Sequence, residues 1–133
     1  MATTNSATFF DFADQVALVS GEVLRYRIKN RPSLTDKKKK DLEDIEIKLD
    51  EATARIRAEG IAALGDQTKG AREKVESATR AAGTVLRRIK KVERALQVAT
   101  SVLGLALAAI AGQPQAILAA VKGVKDAVDG DAA

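Results

Sequence analysis

Apolar residues recur at spacings of three and four along almost the whole chain, which is the periodicity of amphipathic α-helices. Pro32 ends the first helix, because proline disfavours helical backbone at the residue before it. The third stretch keeps an unbroken alternation of four- and three-residue steps, so it predicts one long helix, with Gly83 as the expected position of any break. Gly112 and Pro114 separate it from the last helix. The pattern predicts helices over residues 8–29, 35–64, 66–111 and 114–128.

These elements predict an all-α fold. Short connections make consecutive helices antiparallel neighbours. The chain is therefore expected to form a four-helix bundle, or elongated helical hairpins, with one long central helix and an Ala-rich C-terminal helical hairpin. Its 133 residues suit a single all-helical domain over residues 1–133. Only 3% of the residues are aromatic, so the core must be built from Ala, Val, Leu and Ile, which suits closely packed helices.

The segment from Ala95 to Val121 contains no charged residue. From Val98 onward a second apolar stripe joins the first, and a helix that is apolar on every side is enclosed by protein or surrounded by lipid. A Gly-Gln-Pro-Gln break at residues 112–115 divides the segment into a helical hairpin. The residues predicted to form its hidden interaction surface are Val98, Val102, Leu103, Leu105, Leu107, Ile110, Ile117 and Leu118.

A row of small residues runs along the first arm of this hairpin, at Gly104, Ala108 and Gly112. Small residues spaced by four allow two helix backbones to approach closely. The expected neighbour of the row is the fourth helix, which also carries alanines and glycines.

A basic segment directly precedes the uncharged one: residues 65–94 carry nine basic and four acidic side chains. On a continuous helix the basic face consists of Arg80, Arg87, Lys91 and Arg94. Three interpretations are open for this face: a solvated surface paired with the acidic second helix, contact with anionic lipid head groups, or contact with nucleic-acid phosphates. The absence of interleaved aromatic residues and of a known reader motif disfavours nucleic acid.

The chain has no histidine and no cysteine, which removes the usual zinc ligands and the Ser-His and Cys-His nucleophilic systems. No motif indicates a cofactor, a metal site or a small-molecule substrate, so we expect no enzyme. The N-terminal segment lacks the basic and apolar regions of a signal peptide. The sequence leaves the compartment open: a cytoplasmic protein, a component of an assembled particle and a membrane-associated protein are all compatible with it.

The sequence thus predicts a non-catalytic helical structural or interaction protein. It is expected to form a homo-oligomer, or to dock on a protein partner, through the apolar hairpin of residues 95–121. The alternative is a membrane-active protein that inserts the hairpin into an anionic membrane and keeps the basic face at the head groups. A nucleic-acid packaging protein is the third hypothesis.

Overall fold

The computed structural model describes residues 2–59 and 69–132, and nearly all of this chain is helical. No strand occurs within these two ranges. The helices pack against one another, so the prediction of an all-α bundle is confirmed. They are α1 (Ala2–Lys29), α2 (Asp36–Glu59), α3 (Lys69–Leu86), α4 (Val92–Ala111) and α5 (Pro114–Ala132), with a short 3₁₀ turn over Arg31–Ser33.

The predicted third helix is in fact two helices. α3 ends at Leu86 and α4 begins at Val92, so the prediction of one long central helix over residues 66–111, and of four helices in all, is wrong. Gly83, the expected position of a break, lies inside α3. The turn at residues 87–91 reads RRIKK and contains neither glycine nor proline, so no ordinary turn signal marks it.

The turn has a packing reason. A single helix over all these residues would extend ~70 Å at ~1.5 Å per residue, and nothing in so small a chain would cover its uncharged half. After the turn α4 runs back along the bundle. Ile89, within the turn, remains buried, so the apolar spacing of the sequence continues through it without a visible change.

α1 and α2 are antiparallel. The Ser20 hydroxyl donates to the Asp50 carboxylate at 2.7 Å, and the Arg27 guanidinium donates to the Glu46 carboxylate at 2.7 Å. Later positions in α1 therefore meet earlier positions in α2. This is the hairpin that the short connection predicts.

α1 and α3 run in the same direction. Glu22 accepts a hydrogen bond from Arg87, and four residues further along α1 the Tyr26 hydroxyl donates to the Lys90 carbonyl at 2.7 Å. Positions in both segments increase together, so the C-terminal ends of α1 and α3 lie at the same end of the bundle.

The five helices of the described chain form a closed ring in the order α1, α2, α4, α5, α3. α4 also contacts α1 and α3 across this ring, so it touches every other described helix. α4 and α5 form the predicted C-terminal hairpin. The Arg94 guanidinium donates to the Ala127 carbonyl at 2.9 Å, which brings the end of α5 back beside the start of α4.

Helix boundaries follow the local sequence with some corrections. The Thr35 hydroxyl accepts from the Lys38 amide at 3.1 Å and caps the start of α2. Gly112 takes the left-handed conformation, with φ 78°, and Pro114 starts α5. α1 begins at Ala2 rather than at residue 8, since nothing in residues 2–7 breaks a helix, and α5 continues to Ala132 rather than 128. The predicted boundaries at residues 64 and 66 lie outside the described residues.

The core consists mainly of aliphatic side chains and lies between the helices of the ring. Its largest fully buried side chains are Phe12, Val16, Val19, Val23, Leu42, Leu49, Ile56, Val75, Leu105 and Ile117. Buried Thr53 and Thr79 each donate their hydroxyl to the backbone carbonyl four residues earlier, so these polar groups are satisfied inside the core.

Candidate interaction site

The apolar hairpin is covered mainly by its own chain. Of its predicted surface residues, Val98, Val102, Leu103, Leu105 and Ile117 are buried in the bundle, and Ile110 is half-buried. The remaining residues, Leu107 and Leu118, are each 47% exposed. The fold therefore accounts for most of the uncharged segment without a partner, and it leaves a restricted part of the hairpin in contact with water.

One surface strip of α4 is both exposed and uncharged. It consists of Thr100, Gly104, Leu107 and Ala111, at helical spacings of four, three and four, and we call it the α4 outer face. From Thr100 to Ala111 it extends ~17 Å at ~1.5 Å per residue. Apolar surface without charge is a common property of association sites.

The row of small residues does not pack as predicted. Gly104 faces away from the rest of the chain: a Cβ atom built there would meet no other atom within 4 Å. Gly112 ends the helix instead of contacting α5 along a face. Glycine inside an exposed helix is destabilising by about 1 kcal/mol relative to alanine, and no contact in the described chain makes use of its small size here.

α4 is long and apolar enough to cross a bilayer, by composition and length alone. It is the one helix of the described chain that meets this criterion. In the bundle it contacts each of the other four described helices.

The predicted basic face does not exist as one surface, because the turn at 87–91 divides it. Arg80 lies in α3, where it reaches the Gln15 side chain of α1 at 3.0 Å once that amide is turned to satisfy both of its polar atoms. Arg87 pairs with Glu22 of α1. Lys91 is exposed in the turn, and Arg94 reaches α5.

One of the three interpretations of the basic face, its pairing with the acidic second helix, does not occur among the ion pairs of the described residues. The carboxylates of Glu43 and Glu46 pair with Arg27, and that of Asp50 accepts from Ser20, so these acidic side chains of α2 bind α1. They stabilise the α1–α2 hairpin rather than pairing with the basic segment.

A larger basic surface forms where separate segments of the chain meet, and the sequence pattern did not predict it. Because α1 and α3 are parallel, the end of α1, the start of α2 and the α3–α4 turn lie at the same end of the bundle. Residues 22–41 and 86–94, which we call the basic end, carry thirteen basic and four acidic side chains. The rest of the chain carries nine basic and fourteen acidic ones, so the charge of the bundle is strongly polarised. The last turns of α5, at the same level, add one lysine and three aspartates over residues 125–131.

A cleft of about 360 Å³ opens at the basic end, between α1 and the α3–α4 turn. Five cationic side chains line it: Arg25, Lys29, Arg87, Arg88 and Lys90. Glu22 lies at its base, mostly buried, where one carboxylate oxygen bonds to Arg87 and the other, without a hydrogen bond, lies 3.5 Å from Arg25. Lys29, Arg88 and Lys90 form no ion pair with the described residues, so their charge is available to an anionic ligand.

An apolar depression adjoins this cleft on the outer side of α1. Its lining is Gly21, Leu24, Arg25, Ile28 and Lys29, and Ile28 is 62% exposed. Arg25 and Lys29 line both surfaces. The basic end therefore combines cationic and aliphatic groups side by side.

Within residues 2–59 and 69–132, no three acidic side chains come close enough together to hold a metal ion. Comparisons of the chain with protein-family models, with curated proteins and with solved structures gave no match.

Proposed function

We propose that the protein is a non-catalytic helical interaction protein that self-associates through the outer face of its C-terminal hairpin. The observation that supports this is the α4 outer face, an exposed uncharged strip that carries a half-exposed leucine, Leu107, on the helix that is the most apolar of those described. Interface centres are depleted of charge in the same way.

A second copy of this chain suits the strip better than a charged partner. Two identical uncharged faces can meet about a two-fold axis without placing like charges against each other. Gly104 has open space in front of it, so the backbone of an opposing helix can approach closely at that point. The energetic disadvantage of an exposed glycine inside a helix then has a use.

Sedimentation equilibrium tests the proposal across total protein concentrations from about 1 μM to about 1 mM. The wild-type chain is expected to shift from monomer to oligomer, and Leu107→Glu is expected to remain monomeric. Ile47→Glu is the matched control, because Ile47 is 55% exposed on α2 and receives the same charge. A wild-type chain that stays monomeric throughout, or equal weakening by both variants, contradicts the proposal.

Insertion of the hairpin into a bilayer is the second candidate function. The length and hydropathy of α4 favour it. Insertion requires Val98, Val102 and Leu105 to leave the core, so it needs an opened bundle. A single cysteine placed at Ala111, labelled with an environment-sensitive dye, distinguishes this function: hairpin insertion shifts the dye emission to the blue on adding vesicles, and an intact bundle leaves it unchanged.

A further inference from the structure

The basic end carries several cationic side chains that no ion pair of the described chain neutralises. Cations at the C-terminal ends of α1 and α3 are stabilised by the helix dipoles there, which accounts for Lys29 and Arg88. The helix dipole has the opposite effect on residues 37–40, four consecutive lysines in the first turns of α2, because it disfavours cations at the start of a helix. Of these, Lys37 pairs with Asp41 at 3.0 Å, and Lys39 lies 4.0 Å from Asp36. An external anionic partner would relieve the remaining repulsion.

The partner must also suit exposed aliphatic side chains. Leu24 and Ile28 project beside the cations of the basic end, and the shared lining residues Arg25 and Lys29 make the two surfaces continuous. Phosphates attract the cations in a nucleic acid and in a lipid head group alike. Aliphatic groups beside them gain energy only where the partner offers an apolar layer beneath its phosphates, as a bilayer does.

Nucleic acid is the less suitable polyanion for this surface. Binding of single strands uses aromatic side chains on which bases stack. Tyr26, the one aromatic residue of the basic end, is buried and bonded to the Lys90 carbonyl. Duplex binding by phosphate contacts alone would leave Ile28 without a role.

We propose that the basic end docks the protein on an anionic phospholipid surface, with lipid phosphates in the cleft of Lys29, Arg88 and Lys90, and with Leu24 and Ile28 at the boundary of the acyl chains. The bundle stays intact in this mode, so docking is independent of self-association through α4 and differs from insertion of the hairpin.

Co-sedimentation with vesicles tests the charge requirement. The wild-type protein should pellet with vesicles of phosphatidylcholine containing about 30% phosphatidylserine, and not with phosphatidylcholine alone. Raising the salt from about 0.1 M to about 1 M shortens the Debye length from ~10 Å to ~3 Å and should release the protein. Binding to phosphatidylcholine alone with the same affinity overturns the proposal.

Charge reversal locates the binding surface. Lys29→Glu with Arg88→Glu should weaken vesicle binding by about tenfold or more, since each basic residue near the surface contributes about 1 kcal/mol. Lys48→Glu with Lys74→Glu is the matched control: both lysines are exposed, lie outside the basic end and give the same change of net charge. If the first pair does not fold by circular dichroism, the neutral pair Lys29→Gln with Arg88→Gln replaces it. Equal weakening by test and control pairs overturns the proposal.

A second pair of variants tests the aliphatic contribution. Ile28→Ser should weaken vesicle binding several-fold, whereas Leu18→Ser, at a position 64% exposed on the same helix but farther from the basic end, should not. Short duplex DNA is the competing ligand. If duplex binds with the same dependence on Lys29 and Arg88 while vesicles do not bind, the surface is a nucleic-acid site and the lipid proposal is wrong.

Discussion

The hydroxyl of Tyr26 donates a hydrogen bond to the backbone carbonyl of Lys90 across 2.7 Å. This contact joins the last turn of α1 to the turn between α3 and α4, residues separated by 64 positions in sequence. The sequence pattern does not indicate this turn, and the hydrogen bond is one of the tertiary contacts that stabilise it. It also forms one wall of the cleft at the basic end.

Removing that hydroxyl should loosen the turn. Tyr26→Phe keeps the ring in the core and leaves the Lys90 carbonyl without this donor, so we expect a loss of about 0.5–1.5 kcal/mol in the free energy of unfolding. Urea denaturation followed by circular dichroism measures it. Phe12→Leu serves as a control, because it reduces the packing of the core without removing a hydrogen bond. Its loss of unfolding free energy should stay the same when the pH is varied. An unchanged midpoint for Tyr26→Phe would show that the bond does not stabilise the turn.

The same residue predicts a dependence on alkaline pH. Burial, and then the negative charge of Glu93, raises the pKa of Tyr26 above its ordinary value of 10.0. The folded chain thus favours the neutral phenol, so this contribution to stability is complete below about pH 10 and is lost as the pH rises through the folded pKa. Unfolding free energies measured from about pH 8 to about pH 11 should fall more steeply for wild type than for Tyr26→Phe. Parallel curves would contradict the assignment.

Neighbouring arginines in the turn should behave differently. Arg87 pairs with the mostly buried Glu22, while Arg88 has no ion-pair partner among the described residues. Arg87→Gln should therefore lower stability by up to about 1 kcal/mol, a value limited by the solvent exposure of the arginine. Arg88→Gln should lower it by less, since it removes only the interaction of the arginine with the helix dipole of α3. Thermal unfolding at low salt makes the comparison. Equal effects would mean that the pair adds nothing to the fold.

Two exposed glycines provide a matched test of the α4 outer face. Gly104 and Gly123 both lie within helices and have open space where a Cβ would stand, so either glycine replaced by alanine should stabilise the monomer by up to about 1 kcal/mol. Gly104→Ala should in addition weaken self-association, since the methyl group intervenes between closely approaching backbones. Gly123→Ala should not. If Gly104→Ala self-associates as strongly as the wild type, the two helices do not approach closely at Gly104.

Local signals in the sequence were enough for the helix type and for several boundaries. Thr35 has the hydroxyl that caps α2, and Gly112 with Pro114 marks the hairpin, because each acts through its own backbone geometry. The break at residues 87–91 could not be found this way. Its apolar residue Ile89 keeps the helical spacing, and the reversal is stabilised by distant contacts.

The basic end could not be predicted from the sequence, since it depends on the relative direction of the helices. Lys29 and Lys38 lie far from Lys90 in the sequence. The predicted α1–α2 hairpin brings Lys29 and Lys38 to the same end of the bundle, and the parallel packing of α1 with α3 adds Lys90 to them. The burial of Leu105 and the exposure of Leu107 likewise follow from which neighbours surround α4, and both are leucines in the same uncharged run.

The proposed self-association through the α4 outer face can be followed at these two leucines, by the reactivity of single cysteines as a function of protein concentration. The chain has no cysteine of its own, so each variant reports one site. Leu105→Cys should resist an aqueous thiol reagent at every concentration, and Leu107→Cys should react in dilute solution and become protected as the protein concentration rises. Rapid labelling at both sites in the folded chain would show that the hairpin is not covered by the bundle, and a Leu107→Cys reactivity that does not change with concentration would show that the α4 outer face is not an interface.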